Sequence, residues 1–148
     1  MSNFNGHYKG GLVGASVSMI SIVSLGETNY INICAVGLST LTFSLFPDID
    51  IKSTPSKIFY ALFLVYLAVL YHLEQYKLAT LSSMIAISPQ ITKHRGIFHS
   101  HYAAILIPIY PIYFYYNDSI TKSLFLSLWA AGTFGYYIHL ALDKKLKL

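Results

Sequence analysis

The chain has six histidines and six acidic residues, and eight of these twelve fall in four short places. The places are His7; Asp48 and Asp50; His94, His99 and His101; and His139 with Asp143. Imidazole nitrogens and carboxylate oxygens are the donors that divalent cations take from proteins. His139 and Asp143 are spaced i, i+4, so on a helix they share one face a turn apart and can grip a single ion. A carboxylate at a helix C-terminus is opposed by the helix dipole, which argues for a role other than capping. Pro47 stops a helical run and leaves Asp48 and Asp50 in a turn, where two oxygen donors can approach one ion or a pair. In His94-Arg95-Gly96-Ile97-Phe98-His99-Ser100-His101, imidazoles flank an arginine whose planar fork suits phosphate or carboxylate. Gly96 lets backbone come close there.

Mixed imidazole and carboxylate donors favour zinc, manganese or iron, and more candidates than one tetrahedral ion needs suggest two or three ions. The single cysteine, Cys34, lies in an apolar run and supports neither an internal disulfide nor a multi-cysteine zinc site. A metal cluster of this kind brings the pKa of bound water toward neutrality and polarises a phosphoryl or acyl oxygen. Hydrolysis then needs no protein nucleophile. Arg95 would balance charge on the substrate, and Arg95 and Asp50 are the residues assigned to catalysis.

The elements that must bring these groups together are apolar. Of 148 residues, 55% are hydrophobic and 11% charged, against roughly 25% charged in an ordinary soluble domain. Mean hydropathy is +0.53. Six apolar runs follow: Gly11 to Leu25, Tyr30 to Phe46, Lys57 to Leu73, Leu78 to Ser88, Tyr102 to Tyr116, and Ile120 to Leu142. The expected fold is an all-α, polytopic membrane helical bundle of five or six helices, one domain over residues 1–148, with a metal site at one membrane face. Several runs fall below the about 20 residues of a full span. The fourth is the shortest and reads as a half-helix or re-entrant segment if it does not cross.

With six crossings, all four metal-ligand places emerge on one side. That side also carries Lys9, Lys52, Lys57, Lys93, Arg95, Lys144, Lys145 and Lys147, leaving Lys77 and Lys122 opposite. The positive-inside rule makes it cytoplasmic. The opening residues do not read as a cleavable signal, so the first helix is expected to direct insertion. The net charge of +4 forms no continuous basic stripe, which argues against direct nucleic-acid binding. Tyrosines near the run ends, such as Tyr71, Tyr76 and Tyr110, suit the headgroup boundary. His72 beside Glu74 reads as an interfacial residue, and His101 is balanced between ligand and interface. Glu27, Glu74 and Asp118 read as solvated loops. Gly10, Gly14, Ala15 and Ser18 make a small-residue face for close helix packing.

Taken together, His7-x-x-Gly10, Pro47-Asp48-Ile49-Asp50, His94-Arg95-Gly96-x-x-His99-Ser100 and His139-Leu140-x-x-Asp143 resemble the YdjM-like membrane-bound metal-dependent hydrolases. This bacterial family is also described as LexA-binding inner-membrane proteins. The resemblance spans nearly the whole chain, and the family is similar to zinc-dependent phospholipase C and P1-type nuclease. It implies a multi-pass protein of the bacterial inner membrane that holds divalent ions, zinc above all, at a site facing the cytoplasm. It further implies His7, Asp48 or Asp50, His94 or His99, His139 and Asp143 as ligands. Asp143 stands where the soluble enzymes have a glutamate, a shorter reach that bears on the spacing and number of ions. No tryptophan follows the initial methionine, so ligation by the terminal amine does not carry over.

The leading expectation is a hydrolase of phosphoesters, those of membrane lipid since the site would lie at headgroup level. A divalent-metal transporter is the first alternative, but the helix middles offer only small polar residues such as Ser18, Ser21, Thr40, Thr42 and Thr133. A metal-stabilised anchor for a cytoplasmic protein partner is the second.

Overall fold

The computed structural model describes residues 4–49, 54–72, 74–91, 97–115 and 122–143. Among them every regular element is helical: α1 (Phe4–Ser24), α2 (Tyr30–Leu45), α3 (Thr54–His72), α4 (Tyr76–Ile91), α5 (His101–Tyr115) and α6 (Lys122–Asp143). Two short 3-10 turns, Phe46–Asp48 and Ile97–His99, precede α3 and α5. The all-α expectation holds, and each apolar run corresponds to one helix. Among the described residues two segments, Tyr30–Asp48 and Lys122–Asp143, are long and apolar enough to cross a membrane. At 16 and 15 residues, α4 and α5 are shorter than the about 20 residues of an unaided span.

The chain packs as two units, Met1–Pro47 with His99–Leu148, and Asp48–Phe98. In the first, α1, α2 and α6 pack on one another and α5 packs on α6. Small residues bring these helices close, as expected where apolar side chains gain little by leaving lipid for protein. Gly135 of α6 rests on the backbone carbonyl of Thr40 in α2, and a Cβ there would overlap that carbonyl. Gly11 faces Ser44 and Leu41, while Gly10 and Gly14 face Leu142 and Ile138, as the small-residue face predicts. Hydrogen bonds tie the same helices: Ser39 Oγ donates to the Leu128 carbonyl at 2.9 Å, and Trp129 Nε1 to the Ile105 carbonyl at 3.0 Å.

Local signals set the ends. The Gly26 and Glu27 N–H groups donate to the Val23 and Ile22 carbonyls, closing α1 with a Schellman motif that puts Gly26 at φ +93°. Asn29 caps α2 by accepting from the Ile31 N–H at 2.9 Å. Glu27, expected to be merely solvated, accepts from Asn32 Nδ2 and the Asn29 N–H. Those bonds, the Asn32 one foremost, hold its carboxyl below the usual carboxylate range. Pro47 does not end the helical run outright: α2 stops at Leu45 and tightens into the 3-10 turn Phe46–Asp48.

In the second unit α3 packs with α4, and Tyr60 Oη donates to the Ala86 carbonyl at 2.8 Å. The fourth run extends beyond its expected limits because Pro89 does not break it. Proline lacks the N–H that would bond the Ile85 carbonyl. Ser88 Oγ supplies the donor instead, at 2.7 Å. α3 ends in a second Schellman pattern, the Glu74 and Gln75 N–H groups donating to the Tyr71 and Leu70 carbonyls, with Glu74 at φ +58°.

Candidate metal centre

Three imidazoles of the first unit converge on one carboxylate. His7 lies in the first turn of α1 and is buried. His139 lies one turn before the end of α6 and is wholly buried; Asp143 is the last residue of that helix. His99 closes the turn Ile97–His99, held just ahead of α5 by Ser100, whose Oγ accepts from the Ala103 N–H at 3.2 Å. The N-cap therefore aims the histidine that precedes it.

Each imidazole presents Nε2. His7 Nε2 is 3.4 Å from Asp143 Oδ1, His99 Nε2 3.2 Å from Oδ2, and His139 Nε2 3.8 Å from Oδ2. The His7 and His139 rings are stacked with centroids 4.2 Å apart, and His99 meets His139 edge-on at 5.4 Å. His139, His99 and Asp143 can each offer one ligand atom so that these atoms lie within 4.8 Å of one another. Donors about 2.0–2.1 Å from a tetrahedral ion stand roughly 3.4 Å from each other. The observed spacings bracket that value, so the residues fit a divalent cation.

His139 is fixed by its other nitrogen. Nδ1 lies 2.9 Å from the Ser44 carbonyl. A carbonyl only accepts, so Nδ1 carries the proton and Nε2 keeps its lone pair toward Asp143, the second contact that metal-binding histidines usually have. Ser44 was not anticipated, and no side-chain type could have announced it, because the contact is made by backbone.

Asp48, expected from the sequence as a ligand, begins the second unit. It closes the turn that continues α2, about one turn beyond Ser44. Of the other expected site residues, Asp50, His94 and Arg95 lie outside the described residues. His101 is exposed, its ring 5.6 Å from that of Tyr137, which favours the interfacial reading. His72 is exposed at the end of α3.

Charge supports ligation over simple ion pairing. Three imidazolium ions around one carboxylate would leave surplus positive charge in a buried place, which is costly. Neutral imidazoles and carboxylates suit a divalent ion instead.

No curated protein and no solved structure gives a significant match to the chain. The family described as YdjM inner membrane protein matches residues 1–145. With nearly every residue matched, from α1 through α6, the chain belongs to the YdjM family of inner membrane proteins.

Proposed function

We propose that this protein is a metal-dependent hydrolase of the inner membrane, acting on phosphoesters of lipid headgroups. The observation that carries the reading is the meeting of His7, His99 and His139 on Asp143 at ligand spacing. His139 and Asp143 form the fixed part of the site, one turn apart on α6 and anchored through Ser44. His99 and His7 close it from two other elements. One carboxylate and three neutral imidazoles leave part of the charge of a divalent ion for a bound water or the substrate to balance. A bound divalent ion, zinc by donor type, supplies Lewis acidity and a water of lowered pKa.

The chain's own residues do the rest. Asp143, engaged through both oxygens, keeps three rings in register. Arg95, whose planar guanidinium suits a phosphate, is assigned to the substrate, and Asp50 keeps the catalytic role read from the sequence. The excess of lysine and arginine on the ligand side supports a cytoplasmic orientation.

The test uses protein purified without a histidine tag. Bound metal is measured by mass spectrometry, and release of phosphate or phosphoalcohol is followed from short-chain phospholipids and soluble phosphodiesters. The expected result is metal-dependent turnover lost in Asp143→Asn and His139→Ala. Full turnover in both variants, or tight metal binding with no turnover on either substrate class, would overturn the proposal.

A further inference from the structure

A groove of about 440 Å³ opens between α1 and α6, in the half of the first unit away from the metal centre. Ser18, Ser21 and Leu25 form one wall and Leu126, Ala130 and Phe134 the other. Ile22, Val36 and Ala131, all buried, pack together beneath it. His139 is five residues past Phe134, and His7 is ten residues before Val17, the first α1 residue of the groove. The groove thus begins about 7 Å from the imidazoles along α6 and about 15 Å along α1, and runs away from them. It is no part of the metal site.

The polar groups in its walls are already engaged. Ser21 Oγ donates to the Val17 carbonyl at 2.8 Å, Ser127 Oγ to the Ser123 carbonyl at 3.0 Å, and Ser18 Oγ accepts from Thr40 Oγ1 at 2.8 Å. A polar solute would find little to bond, while hydrocarbon loses nothing there. One wall belongs to Lys122–Asp143, a segment able to cross the membrane, so acyl chains are the medium around it.

The α6 wall continues to a charge. Lys122, Leu126, Ala130 and Phe134 follow one another at i, i+4, so they form a single ridge. Lys122 is exposed at the head of that ridge. From Lys122 to Phe134 the ridge is about 18 Å long, close to the hydrocarbon depth of one leaflet, about 15 Å. On the α1 wall, Glu27, two residues past Leu25, is turned into its own hydrogen bonds with Asn29 and Asn32.

We propose that this groove is a binding site for one anionic bilayer phospholipid, its acyl chain lying between α1 and α6 and its phosphate meeting Lys122. The site is separate from the metal centre and does not depend on the hydrolase reading.

The test is native mass spectrometry of the full chain, titrated in detergent with phosphatidylglycerol or phosphatidylcholine of equal chain length. Wild type is expected to retain one phosphatidylglycerol with roughly tenfold preference. Ala130→Phe, a change at an exposed position that fills the groove, is expected to abolish retention of either lipid. Lys122→Glu is expected to erase the preference and leave residual binding. Both variants are expected to bind metal as wild type does, which shows that they are folded. Equal retention in wild type and Ala130→Phe would overturn the groove assignment, and an unchanged preference in Lys122→Glu would overturn the assignment of the phosphate.

Discussion

Asp143 meets His7 through one oxygen and His99 and His139 through the other, so a change that keeps its shape but removes its charge isolates the ligand role. Asp143→Asn turns one oxygen into an N–H donor directed at imidazoles. We expect it to weaken divalent-metal binding at least tenfold, on the scale of lost ligand-orienting contacts in metal sites. Competition with a chromophoric chelator measures this. Asp143→Glu keeps the charge but adds a methylene in a place that is 12% exposed, and should fall between wild type and the asparagine variant. Much at this scale was readable in advance. The i, i+4 pair His139 and Asp143 announced itself by spacing, and His7 and His99 by residue type. The Ser44 carbonyl was hidden because backbone groups carry no sequence signature.

The seating of α6 on α2 sets the geometry of those ligands. Gly135 and His139 are one turn apart on α6; Thr40 and Ser44 are one turn apart on α2. The glycine contact on Thr40 therefore places the Ser44 carbonyl against His139. Gly135→Val must push the helices apart. It should cost about 1–3 kcal/mol of stability, as overpacking generally does, and also weaken metal binding. Thermal unfolding in detergent and metal titration read the two effects. At Glu74 the sign reverses, because a left-handed backbone costs an L-residue about 1 kcal/mol that glycine does not incur. Glu74→Gly should raise the unfolding midpoint and leave metal affinity untouched. Helix existence was legible from the apolar runs, while limits were less so. α1 begins at Phe4, ahead of the expected Gly11, because His7 points a polar group into the protein and so hides the apolar pattern. α4 outran its expected end because a serine hydroxyl replaces the donor that Pro89 lacks.

For the molecule as a whole, metal and fold should be linked, since the ligands come from α1, the turn before α5, and α6. A ligand that binds only the native state stabilises by about 2.7 kcal/mol at a hundredfold excess over its dissociation constant. Chelation should therefore lower the unfolding midpoint, and returning the ion should restore it; an unchanged midpoint in metal-free protein would contradict the linkage. The same arrangement has a consequence for biosynthesis. His7 lies in α1 and Asp143 ends α6, so four intervening helices separate two groups that stand 3.4 Å apart. Contacts of such long sequence separation form late, after loop-closure entropy has been overcome. A ribosome-bound chain lacking α6 would hold His7 and His99 without their shared carboxylate. Metal capture would then wait for α6, and chains without it would remain apo and open to quality-control proteases.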